Sequence, residues 1–580
     1  MIRKIILITA LATSMAAING CSKDKPEAPT ASVLEIVPEE ITAHSEAKTY
    51  TVEITGDVPW TASSSEGWCR LSPTTGNGKT VVTLTVDQNS APDVRTATIT
   101  VTAGNLVKTA TLTQSAAHPE GFTFATAHEM ISFQLVARKV TIDWGDGSHA
   151  EIFEPDNEQQ VISPSHNYAT PGVHNVSVTG TPISKINFFG LMQISSLNVQ
   201  YAPNLDTLIC IDNELETLDL SANTALRTLN VNDNKLENLD LSANLSLINL
   251  NCSQNLLEML DVRNHPALKV LHCSDNKLTD LEVNNNAALD ELYCSNNMLE
   301  TLDLSSNAAL KTLECYGNRL AGLNLSANPA LRSLLCYSNQ LTNINLSQCT
   351  RLAFLNCSRN EMTTLDLSNN LVLEDLHCDS CHLTALNVGN HDSLTTLYCS
   401  DNQIASLNVS QTVSLQRLTC SRNRELTGLN LSGTDELMYL YCDSCGLTSL
   451  DVSNHGELRS MDCSSNSLSS LNLHANAELS ALNCSNNSLT TLNIDENTKL
   501  ISLNCSKNLL TALNVVNNTW LTSRLDCSYN LLTATALNNL FSNLPTGMTR
   551  PASQLFITGN PGVSTCTKTI ATGKKWSVND

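Results

Sequence analysis

The chain has 580 residues, with 33 basic against 56 acidic side chains and a formal net charge of −23. Removing residues 1–20, which hold Arg3, Lys4 and no acids, leaves 31 − 56 = −25. Such a surface repels phosphate backbones and anionic membranes, which excludes nucleic acid as a natural partner. Length alone suggests several domains, but internal repeats must be sought before the chain is divided by size.

In chain order, Arg3 and Lys4 precede an apolar run from Ile5 to Ile18, then Asn19-Gly20-Cys21. The run is too short to cross a bilayer as a helix and suits a signal-peptide core. The Ile18-Asn19-Gly20-Cys21 end resembles the bacterial lipobox, which implies cleavage before Cys21 and acylation of its thiol. The Ser-Lys-Asp-Lys-Pro-Glu that follows partly resembles the surface-export signal of Bacteroidetes lipoproteins. Residues 1–20 are therefore expected to be a signal peptide and 21–31 a linker. The protein would be anchored in the outer membrane by lipid alone and face outward. No later apolar stretch is long enough to span a membrane.

Residues 32–116 alternate as β-strands do, in Thr49-Tyr-Thr-Val-Glu-Ile, Thr80-Val-Val-Thr-Leu-Thr-Val and Arg95-Thr-Ala-Thr-Ile-Thr-Val. Ser72-Pro73 and Gly76-Asn77-Gly78 punctuate them as turns, which suggests a small sandwich. Val58-Pro-Trp60-Thr-Ala, Trp68-Cys69 and Leu112-Thr-Gln114 resemble a BACON domain. The resemblance implies carbohydrate or mucin binding, with a spacer as an equally good role. Trp60 and Trp68 are either sugar platforms or core residues. Residues 119–182 carry Val140-Thr-Ile-Asp-Trp-Gly-Asp-Gly147 and Ser165-His-Asn-Tyr168, which resemble a PKD-type Ig-like module. Asp143 and Asp146 there could hold calcium or accept hydrogen bonds from their own turn.

Beyond this point cysteines recur at 210, 252, 273, 294, 315, 336, 357, 378, 399 and 420, in steps of 21, with Val231 in the vacant slot. After one extra residue they resume at 442, 463, 484 and 505, then slip once more to 527. Leu331-Arg-Ser-Leu334-Leu-Cys336-Tyr-Ser-Asn339-Gln-Leu341 shows the frame, a leucine-rich repeat with Cys in one Leu slot. The spacing and ladder resemble internalin-type cysteine-ladder repeats of bacterial surface proteins. The fold class expected is mostly β: N-terminal β-sandwich modules, then a leucine-rich-repeat solenoid over 183–530 with a parallel sheet on its concave face. Residues 531–580 leave the register and form a small C-terminal cap, with Ala534–Phe541 helical, a strand near Gln554–Thr558 and Trp576 packed there.

His377-Cys378-Asp-Ser-Cys381-His382 matches a C-x-x-C-H haem motif or half a zinc site, and Cys442-Asp-Ser-Cys445 repeats the dithiol. The repeat frame gives a blander reading. Cys378 and Cys442 fill the ladder slot. Cys381 and Cys445 fall where Asn213, Asn234 and Asn255 cap a turn, and His382 shares an exposed turn position with Lys277 and Arg319. His377, Cys378, His382 and His391 point to different sides of a coil and cannot converge on a metal. Disulfides between successive ladder cysteines are disfavoured, because parallel strands hold equivalent Cβ atoms about 4.8 Å apart and a disulfide needs about 3.8 Å. A second column, Asn223, Asn244, His265, Asn286, Asn307, Asn328, Cys349, Asn370, His391, marks the other half of each repeat. No metal or other cofactor is expected.

Function must then sit where the frame leaves residues free. The residues flanking each ladder cysteine point onto the concave sheet, and in the middle repeats they include Tyr293, Tyr316, Tyr337, Phe354, His377, Tyr398, Tyr439 and Tyr441, joined by His272. Six of the ten tyrosines share this face, where chance filling by residues of good β-propensity is the alternative. Tyrosines are low-entropy contact residues and also stack on sugar rings. No H-E-x-x-H, G-x-S-x-G, Walker loop or dinucleotide fingerprint occurs, so no catalytic residue is assigned. The expected role is non-catalytic binding or adhesion to a host or bacterial surface protein or glycan through the concave face. The alternatives are glycan capture by the BACON-like domain and a structural surface role.

Overall fold

The computed structural model describes residues 30–580, apart from 46, 92, 117–119, 158, 191 and 549–551. The segment expected to be a signal peptide and the candidate lipidation site Cys21 lie outside the described residues. The chain divides into two compact units, Met1–Pro119 and Glu120–Asp580.

The first unit is a β-structure built around one long strand, Lys48–Ser64. Its first part pairs antiparallel with Thr75–Val86 and with Leu34–Val37; beyond an irregularity between Gly56 and Trp60, its end pairs with Arg95–Ala103. Arg95–Ala103 pairs in turn with Leu106–Gln114. Alternate residues face inward, so Val52, Ile54, Val82, Leu84, Ile99, Val101 and Leu112 are buried while the intervening threonines face out. Trp60 is only 1% exposed and its Nε1 donates to the Gly78 carbonyl at 3.3 Å. Gly76 lies against this indole, where any Cβ would stand 2.3 Å from Trp60 Cζ2. Trp60 is therefore a core residue. Trp68 is half-buried, and the Arg95 guanidinium covers its ring at 4.1 Å.

In the second unit, strands Gly121–Thr126, Val140–Asp143, Glu151–Phe153 and His174–Gly180 form a sheet together with Ile194–Asn198. Gln134–Ala137 pairs antiparallel with Ile183–Phe188, and Ile183–Phe188 pairs in parallel with Thr207–Cys210, the first cysteine-bearing strand. Phe122, Phe124, Phe133 and Phe188 pack ring against ring and share one core with Leu205, Leu208 and the repeats beyond. Residues 121–188 thus cover the open apolar end of the first coil, as a solenoid requires. Within them, Asp143 Oδ1 accepts from the Gly145 amide at 3.0 Å and Asp146 Oδ1 from the Ser148 amide at 2.9 Å. Asp146 Oδ2 also lies 2.7 Å from His166 Nε2. Both carboxylates serve the turn. Gly145 permits it, with φ of +75° and the Asn175 carbonyl 2.2 Å from where a Cβ would sit.

The repeats follow as short parallel strands in strict register, from Thr207–Cys210 to Arg524–Asp526. Each residue pairs with its equivalent one coil on, as Leu250 with Leu271 and Leu271 with Leu292. The central residue of these strands, Leu in all but Met461, is buried, its two neighbours are half-exposed except at Arg524 and Asp526, and every ladder cysteine is buried. The extra residue between Cys420 and Cys442 is absorbed away from this sheet, beside the added pair Ser406–Asn408 and Gly428–Asn430, so Arg417 still pairs with Tyr439. At the far end, Ser553–Phe556 and Trp576–Asn579 extend the sheet in parallel beside helix Ala534–Asn543. Trp576 is buried there, its Nε1 donating to the Pro545 carbonyl at 2.9 Å.

Two polar ladders bind coil to coil. Asn318 accepts from the Leu299 amide at 3.0 Å and donates to the Cys294 and Cys315 carbonyls at 3.0 and 3.1 Å. The residue before it takes a left-handed φ, Gly317 here and Asp275 or Asn296 in other coils, while Arg359, Arg422, Lys507 and Tyr529 show that the stacked coils impose this conformation on larger side chains too. In the second ladder, Asn307 donates to the Val283 and Asn286 carbonyls at 3.0 and 2.9 Å, and Thr412, Thr434 and His455 continue the column. Truncating such a residue strands buried backbone groups. Asn318→Ala is expected to destabilise the repeats by about 2–4 kcal/mol in urea unfolding, whereas a change at the exposed turn residue Arg319 should cost less than about 0.5 kcal/mol.

Candidate binding surface

The concave face consists of three parallel columns per strand: the residue three before the ladder cysteine, the one before it and the one after it. Leu and Cys between them face the core. Tyr293, His377, Tyr398 and Tyr441 lie in the middle column, Phe354 and Tyr439 in the first, and Tyr316 and Tyr337 in the third. The rings form separate short stacks. His272 and Tyr293 stack at 4.0 Å between centroids, Tyr316 and Tyr337 at 4.3 Å, and His377 and Tyr398 at 4.5 Å, with Phe354 tilted 5.8 Å from His377. Tyr439 carries the Arg417 guanidinium 4.2 Å above its ring, and the Tyr441 hydroxyl donates to Ser460 Oγ at 3.3 Å. In the middle column, Glu314, Leu335 and Asn356 separate Tyr293 from His377, and Thr419 separates Tyr398 from Tyr441.

Sequence reasoning picked out the rings but passed over the charges between them, which occupy the same slots. The Tyr293 hydroxyl donates to Glu291 Oε2 at 3.1 Å, and burial followed by that bond pushes its pKa up to about 12. Burial lowers the pKa of His272 and raises that of Glu314. His377 Nε2 lies 2.8 Å from Asp375 Oδ1, a close polar contact off the line of a good hydrogen bond. Asp379 is raised by burial although it accepts the Ser400 amide at 2.7 Å. The surface thus presents ring faces, half-desolvated carboxylates and few cations.

The residues of the C-x-x-C-H motif do not come together. His377 is on the concave face, Cys378 and Cys381 are buried, and His382 is exposed at a turn with φ of +65°. His391 is buried in the second ladder, its Nε2 3.2 Å from the Leu367 carbonyl. Among the described residues no group of three or more His, Cys, Asp or Glu could hold a metal ion. The Cys381 thiol lies 3.2 Å from the Cys357 carbonyl, taking over one of the hydrogen bonds an Asn would make.

A family model matches residues 58–115, that of BACON, described as "Putative binding domain, N-terminal". A 53-residue stretch of this β-unit is 47% identical to a xyloglucan-specific endo-beta-1,4-glucanase of Bacteroides ovatus, covering 9% of this chain and 11% of that enzyme. The match thus spans about a tenth of the glucanase's length. Among solved structures, the functional domain of InlJ from Listeria monocytogenes, which includes a cysteine ladder, is 30% identical with a TM-score of 0.51, over 60% of this chain and 74% of that one. YopM from Yersinia enterocolitica shares the fold, with 21% identity and a TM-score of 0.50 over 68% of this chain and 91% of that one. The solenoid, its leucine frame and its column of buried thiols define a leucine-rich repeat protein. The chain belongs to the cysteine-ladder group of that family.

Burial pushes the thiols of Cys210, Cys252, Cys484 and Cys527 up to about 12, so they stay protonated and shielded at neutral pH. In the folded protein a disulfide reagent at pH 8 should leave these thiols unmodified and reach them only after denaturation. Cys381→Asn should restore the acceptor that other coils possess and raise stability by about 1 kcal/mol. Loss of binding by a folded Cys381→Asn variant would instead mark Cys381 as a functional thiol.

Proposed function

We propose that this protein is a non-catalytic recognition module that binds a surface protein or glycan, of host or bacterial origin, across the concave face of its repeats. The observation that carries this reading is the set of aromatic stacks interleaved with half-buried carboxylates on strands whose inward positions are fixed by the core. Rings held by a rigid sheet lose little rotamer freedom on binding and offer large amphipathic contact area. Lipid anchorage through Cys21 at the outer membrane, facing outward, belongs to the same proposal and rests on the lipobox resemblance. It would place the face where large ligands can reach it.

A second reading is favoured by the BACON match at residues 58–115 and by the stretch shared with the xyloglucan-specific glucanase. In it the N-terminal unit captures a glycan and the solenoid docks to partner proteins. The burial of Trp60 and the cover of Arg95 on Trp68 leave that unit without a bare indole at either position, which weighs toward the solenoid.

The discriminating experiment applies the purified protein and a Tyr316/Tyr337/Tyr398→Ala variant, checked for folding by circular dichroism, to arrays of glycans, mucins and matrix proteins. The concave reading expects the wild type to bind and the variant to lose at least about tenfold in affinity. Equal binding by both would move recognition to the N-terminal unit, and deletion of residues 32–116 would then abolish it.

A further inference from the structure

Glu314 sits in the middle column of the concave face, in register with Tyr293 on one side and Leu335 on the other. Tyr316, two residues along on the same face, stacks on Tyr337. Glu314 is near enough to Tyr293 and Tyr337 to act electrostatically on both phenols. Its carboxylate is half-buried, yet among the described residues no hydrogen-bond donor or cation is paired with it. Of the nearby cations, Lys311 pairs with Asp290 at 2.9 Å, and Arg359 acts on Tyr337 at the edge of the site without pairing with Glu314. This contrasts with Glu291 one coil earlier, which holds the Tyr293 hydroxyl, and with Asp375, which faces His377.

A carboxylate partly withdrawn from water and without a partner is less well solvated than a free one, and a cation that docks on it recovers that loss. Ring faces add attraction for the same kind of group, since the aromatic quadrupole is negative over the face. With His272 covering one face of Tyr293, its other face is turned along the column toward Glu314. The whole chain is strongly acidic, and the further carboxylates Glu291, Asp375 and Asp379 occupy the same sheet. A sugar could donate hydroxyls to Glu314 and stack on the tyrosines, but it would leave the charge uncompensated.

We infer that Glu314, Tyr293, Tyr316 and Tyr337 form a receptor site for a cationic side chain, the lysine ammonium or arginine guanidinium of a basic segment on a partner protein. This deepens the concave-face reading and rests on it. The cation seats against the carboxylate, beside ring faces and edges that the stacks leave uncovered, and the acidic sheet on either side steers a basic partner into register. Glu314 supplies specificity for charge, and the tyrosines supply contact area.

The test uses the whole protein and a fluorescein-labelled peptide of alternating lysine and glycine, titrated by anisotropy at about 150 mM salt, where distant charges are screened. Glu314→Gln and the turn-edge variant Glu361→Gln remove the same charge from different faces. We expect Glu314→Gln to weaken the peptide by about tenfold or more and Glu361→Gln by less than about twofold. Equal effects of the two variants would reduce the binding to general acidity and overturn the inference. So would a peptide titration unchanged by Glu314→Gln. A neutral oligosaccharide, cellohexaose, run in parallel separates the two levels. Binding of it that needs Tyr316 and Tyr337 but ignores Glu314→Gln overturns the cation site and leaves the concave-face reading standing. Indifference of both probes to every concave variant removes both.

Discussion

Each coil of this solenoid must present to the next the same backbone, at the same height, about 4.8 Å away. Strict stacking of that kind fixes the chemistry of every column. A position inside the coil can hold only a side chain that fits between two copies of itself, which is why Leu fills the centre of each strand and a thiol the slot beside it. A turn inside the coil leaves amides and carbonyls without water, and one Asn per coil satisfies them across two coils at once. Burying each Leu contributes about 1.5–3 kcal/mol, and the asparagine ladders prevent penalties of similar size. The cysteines, the histidine His391 and the C-x-x-C pairs are all consequences of that rule.

The same rule determines what remains for function. Half the residues of each strand are committed inward, and the turns are committed to capping. What is left are three columns on one rigid sheet, where a substitution changes the surface without disturbing the core. In the middle coils those columns hold stacked rings and partly desolvated carboxylates instead of the Asn and Ser of the terminal ones. A preorganised surface of this kind binds without first ordering itself.

Much of this was legible in the sequence, because a 21-residue period, slipped by one residue at two places, assigns each residue to a column by counting. Counting identified Cys381 as an Asn replacement and placed Tyr293, Tyr316 and Tyr398 on one face. It could not separate the rings into stacks, since that depends on side-chain torsions, nor reveal that Glu314 lacks a partner. Residues 119–182 were read by their local W-G-D-G and H-x-Y turns. Their union with the repeats rests on the long-range pairing of Gln134–Ala137 with Ile183–Phe188, for which no local signal exists. Trp60 and Trp68 looked alike in sequence; only the fold shows that one is enclosed and the other lies beneath Arg95.

The most direct measurement is tyrosine nitration by tetranitromethane, mapped by mass spectrometry on the protein alone and saturated with a ligand retained by the arrays. The account predicts that bound ligand protects Tyr316, Tyr337, Tyr398 and Tyr439 while Tyr529, exposed at the edge of a late coil, reacts as before. Unchanged nitration of the concave tyrosines, with protection confined to Tyr50 in the N-terminal unit, would contradict it.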